Sequence, residues 1–171
     1  MLKEFGFTAW NDITNLLTAQ SGKEVVSKTH RLIKDRGFLI LSELGKDITK
    51  NTLLIDETIQ EITNPIHLKV ATISKIEKEN KTTIYVDKNN LSFPLTLRKW
   101  QNGDFFYPKG MQGKKKVSKY FKDEKFSTID KENTWLLCTS TNKIIWIVGH
   151  RQDHRFLTTE NASSILKIEI L

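Results

Sequence analysis

Apolar residues near the start of the chain recur every three to four positions, which is the spacing of one helix face. Thr8 stands at a suitable N-cap position, and Gly22 lies near the C′ position where helices often end. The pattern predicts a helix from about Thr8 to Ala19. Its apolar face is formed by Phe7, Trp10, Ile13, Leu16 and Leu17.

Beyond this helix the pattern changes to short apolar or β-branched runs that are separated by polar, turn-like residues. The runs that predict strands are Lys23–Ser27, Phe38–Ser42, Thr52–Ile55, His67–Ser74, Thr82–Val86, Leu95–Arg98, Trp135–Thr139, Lys143–Gly149 and Ile165–Ile170. The apolar parts at 68–73 and 83–86 flank a charged stretch, so we expect a hairpin there. Asn142 is expected in the turn between the strands at 135–139 and 143–149.

A second helix is predicted from about Lys116 to Asp123, because Val117, Tyr120 and Phe121 share one face and lysines occupy the other. Strands outnumber helices, so the expected fold class is α+β: a strand-rich, layered domain after a short helical and connecting segment. Turn-forming residues interrupt the pattern between 43 and 65. We therefore predict a helix plus connecting segment over 1–65 and an α+β domain over 66–171.

The composition is that of a folded chain with an anionic partner. The chain has 171 residues, 38% of them hydrophobic and 27% charged, which favours a folded protein over a disordered one. Cys138 is the only cysteine, so no internal disulfide can form and a reducing cytoplasm is the expected compartment. No apolar run approaches the ~20 residues that span a bilayer, and no signal peptide is expected.

Positive charge is concentrated in one part of the chain. Between residues 98 and 125 there are nine Lys or Arg against three Asp or Glu, so this stretch carries +6 of the net +7. Aromatic residues and glycines are interspersed among these cations. Lysines attract phosphate, aromatic rings offer faces to bases, and glycines let backbone N–H groups approach a ligand. The stretch predicts a polyanion-binding surface, with RNA as the favoured polyanion.

The run 114–116 consists of three lysines and allows two interpretations. In most proteins such a run is simply a solvated face. Here Gly110 and Gly113 precede it and a predicted helix follows, so backbone N–H groups and side chains can bind phosphate together. Residues 110–113 also match the GXXG loop of KH domains, a pattern short enough to occur often by chance.

The aromatic residues of this region divide between two roles. Phe105 and Tyr107 are left open between core packing and base stacking, because alternation along a strand buries about half of such a cluster. The aromatic residues expected in the core are Trp100, Phe106, Phe121 and Trp146.

Patterns for catalysis or metal binding are weak. The run 21–23 lacks both the upstream glycine and the following Ser or Thr of a P-loop. His150 and His154 lie four positions apart downstream of Cys138, but the first Cys pair of a zinc finger is missing. The residues therefore predict no catalytic centre and no metal site.

Three ordered motifs are much more specific. They are Ser21-Gly22-Lys23-x-x-x-Ser27-x-Thr29-His30-Arg31-Leu32-x-x-Asp35-Arg36, then Arg98-x-Trp100-x-x-Gly103-Asp104-x-Phe106-x-Pro108-x-Gly110-Met111-x-Gly113-x-Lys115-Lys116-Val117-Ser118-x-x-Phe121-x-Asp123-x-Lys125, and finally Ile145-Trp146-Ile147-Val148-Gly149-x-Arg151-x-Asp153-x-Arg155-Phe156. The last two closely resemble the C-terminal domain of tRNA(Ile)-lysidine synthetases. The first resembles the segment that joins the catalytic half of those enzymes to that domain.

This resemblance implies a role in tRNA modification. The family uses ATP to adenylate the wobble cytidine of an isoleucine tRNA with a CAU anticodon and then couples lysine to it. That chemistry belongs to an N-terminal ATP-pyrophosphatase domain, which this sequence lacks, so ATP, magnesium and lysine are expected only in the full enzyme. For this portion the resemblance implies a layered α+β domain with a β-sandwich, and a role in holding the tRNA acceptor stem.

The expected tRNA-binding residues are Arg98, Lys99, Lys109, Gly110, Gly113, Lys114, Lys115, Lys116, Lys119, Lys122, Arg151 and Arg155. The arginines are expected either to position RNA or to form ion pairs with Asp104 and Asp153, and both alternatives stay open. Two other functions also stay open. One is a stand-alone nucleic-acid-binding module of the KH type, and the other is a protein-interaction domain that maintains a homodimer.

Overall fold

The computed structural model describes residues 1–44, 52–77, 80–159 and 162–171. The chain divides into two compact units. Unit 1 comprises Met1–Thr49 and Phe126–Asp130, and unit 2 comprises Lys50–Lys125 and Lys131–Leu171. Strands predominate over helices in the described ranges, which confirms a strand-rich fold. Within the same ranges, no helix is both long enough and apolar enough to cross a membrane.

The N-terminal part of unit 1 contains an α-helix and a three-stranded antiparallel sheet. The elements are α1 (Trp10–Thr18), β1 (Glu24–Val26), β2 (His30–Asp35) and β3 (Phe38–Glu43). β2 is the central strand and pairs with both neighbours. The buried core of this unit consists of Phe7, Ile13, Leu16 and Leu32.

Three details of unit 1 differ from the predictions. Ala9 occupies the N-cap of α1 and no side chain caps the helix, so the cap predicted at Thr8 is wrong. Trp10 and Leu17 are exposed, which makes the buried face narrower than predicted. β2 was not predicted, because charged residues flank the short buried pair Leu32 and Ile33 on both sides.

Unit 2 is built around two four-stranded antiparallel sheets. The strands of the first are β4 (Thr52–Ile55), β8 (Leu95–Lys99), β11 (Trp135–Cys138) and β12 (Ile144–Ile147), in the order β12-β11-β8-β4. Those of the second are β5 (Glu61–Ile62), β6 (Leu68–Ile73), β7 (Thr83–Asp87) and β13 (Ile165–Ile170), in the order β5-β6-β13-β7.

A separate short pair of strands precedes two helices. The pair is β9 (Phe105–Phe106) with β10 (Lys115–Lys116), and the helices are α2 (Val117–Asp123) and α3 (Thr128–Asn133). α2 confirms the helix predicted at 116–123. It forms because Val117, Tyr120 and Phe121 are buried together on one side.

The two four-stranded sheets contribute side chains to one hydrophobic cluster. Leu97 and Leu137 come from the first sheet and Leu68 and Val86 from the second, and all four are fully buried. Burial of apolar surface on this scale is the dominant stabilising term for a domain. The shared core supports a layered arrangement of antiparallel sheets, while the β-sandwich itself stays a prediction.

The hairpin predicted between 68–73 and 83–86 is wrong. These segments form β6 and β7, but β13 lies between them and pairs with both, so that Ile168 faces Val70 on one side and Ile84 on the other. Periodicity identifies a strand, but it carries no information about a pairing partner that is distant in the sequence.

The predicted domain division at residue 65 stays a prediction. In the structure β4 and β5, which precede residue 65, pair with strands of unit 2.

Candidate nucleic-acid interface

The glycine loop, residues 107–114, connects β9 to β10 in unit 2. Gly110 and Gly113 both have a φ of 81°, a backbone conformation that glycine adopts without steric cost. A Cβ at either position would meet no atom within 4 Å. The loop therefore requires glycine for its turns and not for packing, and the space beside its backbone is open.

The lysine groove is a cavity of about 600 Å³ beside the glycine loop. Three exposed residues form its cationic rim and are called the rim lysines: Lys114, Lys116 and Lys119. In the described part of the chain, neither Lys116 nor Lys119 forms an ion pair. Their ammonium groups are available to an anionic ligand.

Lys115 has a different environment from its two neighbours in the lysine run. Its Nζ lies 2.8 Å from Oδ2 of Asp123, and only 15% of its side chain is exposed. The hydrogen bond from Lys115 lowers the pKa of Asp123, so the carboxylate stays ionised well into the acid range. Asp123 lines the lysine groove as well. One lysine of the run therefore forms an intramolecular ion pair.

The two aromatic residues of β9 lie on opposite sides of the strand, as strand geometry requires. Phe106 is fully buried, whereas Phe105 is 42% exposed and lines the lysine groove. Lys114 Nζ lies 5.1 Å from the centroid of the Phe105 ring. The predicted core positions of Phe106, Phe121 and Trp146 are confirmed, and Trp100 is half-buried with its ring edge-to-face to Phe121.

Arg98 forms the first of two buried braces. Its Nη1 and Nη2 donate to the two carboxylate oxygens of Asp104 at 2.8 Å, and its Nε donates to Asn142 Oδ1 at 2.8 Å. The hydrogen bonds to Asp104 raise the pKa of Arg98. Arg98 is 5% exposed, so of its two predicted roles the structure shows the ion pair. This Arg98 brace connects β8 to the turn before β9 and to the turn after β11.

Asp153 forms the second brace, which fixes the beginning of the glycine loop. Its fully buried carboxylate accepts hydrogen bonds from the backbone N–H of Tyr107 at 2.9 Å and from Nη2 of Arg155 at 2.7 Å. The Arg155 guanidinium also lies 4.3 Å from the centroid of the Tyr107 ring. Arg155 therefore shows the ion-pair alternative too. The backbone N–H of Lys109 donates to Gln152 O at 3.2 Å, and this backbone hydrogen bond also holds the glycine loop in place.

The remaining predicted contacts do not line the groove within the described residues: Lys99, Lys109, Lys122 and Arg151. Lys99 is half-buried with its Nζ 4.1 Å from the Trp135 ring centroid, and burial lowers the pKa of Lys99. Lys109 is half-buried, while Lys122 and Arg151 are exposed.

Sequence reasoning missed or left open several residues of this site. Phe105 was ambiguous, although its alternation with Phe106 was the signal that could have placed it outside. Met111 was not considered as part of a groove. Asn142 was predicted only as a turn residue, and nothing local in the sequence indicates its hydrogen bond to Arg98.

The arrangement argues against the KH alternative. The GXXG loop of a KH domain belongs to a βααβ core, whereas this glycine loop joins two short antiparallel strands, so the KH alternative is not favoured. Burial raises the pKa of the Cys138 thiol to about 12, which disfavours a thiolate ligand. Among the described residues, no group of three or more His, Cys, Asp or Glu side chains is placed to hold a metal ion.

Taken as a set, the groups around the groove suit binding. Exposed ammonium groups attract phosphate, an exposed ring accepts a planar partner, and open glycine backbone allows close approach. The two braces hold this loop against the sheet without using the rim lysines.

Comparison with known proteins assigns both ends of the chain to one family. Residues 1–44 match the family model described as TilS substrate binding domain, and residues 95–169 match that of the TilS substrate C-terminal domain. The matched ranges together cover more than half of the chain. The second range contains the glycine loop, the lysine groove and both braces.

Two curated relatives and one solved structure agree with this assignment. The chain is 45% identical to the tRNA(Ile)-lysidine synthase of Parabacteroides distasonis, over 100% of this chain and 40% of that protein. It is 39% identical to the tRNA(Ile)-lysidine synthase of Bacteroides thetaiotaomicron, over 94% of this chain and 35% of that protein. The chain thus spans about two fifths of the length of these relatives or less.

The solved structure shows a shared fold. It is titled "Crystal structure of TILS C-terminal domain", and it aligns with a TM-score of 0.58 at 17% identity, over 70% of this chain and 98% of that one. The predicted resemblance is therefore confirmed by sequence and by fold. The chain belongs to the tRNA(Ile)-lysidine synthase family and carries the segments that match its substrate-binding and C-terminal domain models.

Proposed function

We propose that this chain is the tRNA-binding C-terminal portion of a tRNA(Ile)-lysidine synthase. One observation carries the proposal: exposed rim lysines, which form no ion pair with any described residue, line a groove inside the range 95–169, which matches the C-terminal domain model. A cationic groove with open glycine backbone suits phosphate-rich RNA. The bound RNA is proposed to be tRNA(Ile) with a CAU anticodon.

Within that tRNA the proposed contact is the acceptor stem. This stem is an A-form duplex, which proteins recognise mainly through phosphates, 2′-hydroxyls and shape. Lysines on a loop of fixed geometry can follow a phosphate backbone without reading base edges. The proposed phosphate contacts are the rim lysines together with Lys109, Lys122 and Arg151, with Gly110 and Gly113 providing close approach.

Three other predicted contacts receive a different proposed role. Arg98, Lys115 and Arg155 form ion pairs with carboxylates of their own chain. We assign them to shaping the loop, while Lys99 is proposed as a peripheral contact beside Trp135. This division separates residues that position the site from residues that meet the RNA.

The ligation itself is proposed for the whole enzyme and not for this portion. ATP, magnesium and lysine would act in the catalytic domain, while this portion holds the tRNA so that its anticodon loop reaches that domain. The β-sandwich, the cytoplasmic location and a homodimer stay predictions. Self-association that resists high salt, without tRNA binding, would favour the homodimer alternative.

A salt titration of tRNA binding tests the proposal. The full chain is titrated with tRNA(Ile) bearing the CAU anticodon and, in parallel, with a methionine tRNA bearing the same anticodon. Salt is raised from about 50 to 200 mM, a range over which phosphate contacts produce a steep loss of affinity. Binding of either tRNA with such a slope supports the proposal, and absence of binding at the lowest salt contradicts it.

The two tRNAs also separate two forms of the function. A preference for the isoleucine tRNA that persists at the highest salt would mean that this portion contributes to tRNA identity. Equal and steeply salt-dependent binding would mean that it is a general electrostatic clamp, with selection left to the catalytic domain.

A further inference from the structure

The lysine groove contains more than the positive charge that a duplex backbone requires. Phe105 is 42% exposed and Met111 is 48% exposed, and both line the groove. Phosphate contacts gain nothing from such apolar surface. Two large apolar side chains inside a cationic rim therefore indicate a ligand with a flat apolar part and an anionic part.

An unpaired nucleotide has this combination. In a duplex the faces of the bases are covered by stacking, so an exposed aromatic ring can stack on a base only where that base is unpaired or ends a helix. Stacking of single-stranded bases on aromatic side chains, with lysines along the backbone, is a common mode of single-strand binding. The rim lysines lie at the same groove as Phe105, and Lys114 Nζ is 5.1 Å from the ring centroid.

A second cavity that Phe105 also lines supports a path for a strand beyond the lysine groove. It has a volume of about 460 Å³ and shares Gly103 and Phe105 with the lysine groove. Lys143 and Arg155 line this second cavity. Because Arg155 is paired with Asp153, the exposed Lys143 is the cation at this cavity that is placed to meet a phosphate, and Phe105 lines both cavities.

We propose that Phe105 is a stacking platform for an unpaired nucleotide of the bound RNA, with the rim lysines on the adjoining phosphates. This inference rests on the proposed function, because the nucleotide belongs to the same RNA whose duplex phosphates the lysines contact. It adds a single-stranded element to the ligand. The groove thereby recognises the junction between a duplex and its unpaired extension.

The test compares two RNA hairpins of identical stem. One hairpin has a blunt end, and the other carries a short unpaired 3′ extension of a few nucleotides. Binding of each to the full chain is measured by fluorescence anisotropy at constant salt. The extension should tighten binding about 5- to 150-fold, the equivalent of about 1–3 kcal/mol for one stacked base.

Three variants identify the ring as the cause. Phe105→Leu keeps an apolar side chain but removes the aromatic face, so it should abolish the gain in affinity that the extension gives. Phe105→Tyr retains the ring and should retain the gain. Phe38→Leu is the matched control, because Phe38 is 73% exposed but belongs to unit 1. Thermal melting of each variant confirms that it is folded.

The outcomes separate this inference from the proposed function. If the blunt hairpin binds and the extension adds nothing, the platform is refuted while tRNA binding stands. If Phe105→Leu weakens both hairpins equally, the ring has a structural role and the platform is again refuted. If neither hairpin binds, both proposals fail. A gain that Phe105→Leu removes and Phe105→Tyr retains supports the platform.

Discussion

The two braces and the lysine groove lie beside the same glycine loop, yet their charged side chains have opposite environments. In the braces each guanidinium is bonded to a carboxylate, and the Arg98 side chain is almost fully buried. In the groove the rim lysines are exposed. A guanidinium fork matches a carboxylate through two hydrogen bonds, whereas an ammonium on a flexible stem adapts to phosphate. The two brace arginines shape the loop, and the rim lysines are left to the ligand.

The largest effect should follow from removing one half of the Arg98 brace. Arg98→Met leaves the Asp104 carboxylate nearly buried and unpaired, which should lower the free energy of unfolding by about 3–5 kcal/mol. The double variant Arg98→Met/Asp104→Leu removes the orphaned charge and should recover part of that loss. Urea denaturation followed by tryptophan fluorescence measures both. A loss below ~1 kcal/mol for the single variant would mean that the brace is not a stabilising element.

Removing the rim lysines should affect binding and not stability. In Lys114→Gln/Lys116→Gln/Lys119→Gln, the negative slope of log affinity against log salt should become shallower by about 2 to 3, as for three lost phosphate contacts. The melting temperature should stay unchanged, because these side chains are exposed. Anisotropy titrations with tRNA at several salt concentrations give the slope.

The matched control for the rim lysines is a triple variant at exposed lysines outside the groove. Lys28→Gln/Lys69→Gln/Lys75→Gln removes the same net charge and should change the slope much less. If the two triple variants have equal slopes, the rim lysines act only through the net charge of the chain. That result would contradict a local binding site at the groove.

A smaller effect is expected from the glycine loop. Gly110→Ala and Gly113→Ala each force a residue with a Cβ into positive φ, which should cost about 1 kcal/mol although the space is open. Gly37→Ala is the control, because Gly37 also has open space but no positive φ. That control should be neutral or slightly stabilising. Urea denaturation of the three variants tests this, and equal stabilities would show that conformation is not why the loop has glycine.

The smallest effect concerns Asp123, which places a negative charge at the groove. Asp123→Asn should tighten tRNA binding by no more than about fivefold, because it frees Lys115 and removes repulsion from phosphate, and interactions between exposed charges are weak. Weaker binding would contradict this assignment.

The pH dependence of the same residue has a definite sign. Since the pKa of Asp123 is lowered in the folded state, its contribution to stability is present at neutral pH and is lost as pH falls through the lowered pKa. Wild type and Asp123→Asn should therefore converge in melting temperature toward strongly acidic pH. If the difference in melting temperature between wild type and Asp123→Asn stays constant over the whole pH range, the ion pair with Lys115 does not stabilise the fold.

Local patterns predicted most strands of this fold but not their partners. β4 and β13 have the predicted bounds, because each is a continuous apolar or alternating run with clear polar flanks. β2 was missed because its buried pair is short, and the hairpin between β6 and β7 was wrong because β13 intervenes. Strand pairing depends on contacts between distant residues, which the periodicity of one segment does not contain.

The site shows the same limit at the level of single side chains. The basic stretch of sequence pointed to the region of the lysine groove, but it predicted the same role, tRNA binding, for Lys115 and Lys116. In the structure Lys115 is bonded to Asp123, two helical turns along α2, while Lys116 is exposed. Whether a cation is paired or free depends on where the backbone carries a carboxylate, and only the folded chain determines that.

The central position of β13 has a consequence for how unit 2 assembles. Until residues 165–170 are present, β6 and β7 each have an open edge in the middle of the future sheet, and such edges promote association between chains. Pairing between segments this distant in sequence is also slow to form. A deletion of β13 would therefore remove an inner strand and leave β6 and β7 with unpaired edges that promote aggregation. Solubility during folding depends on how quickly β13, the final strand of the described chain, inserts between β6 and β7.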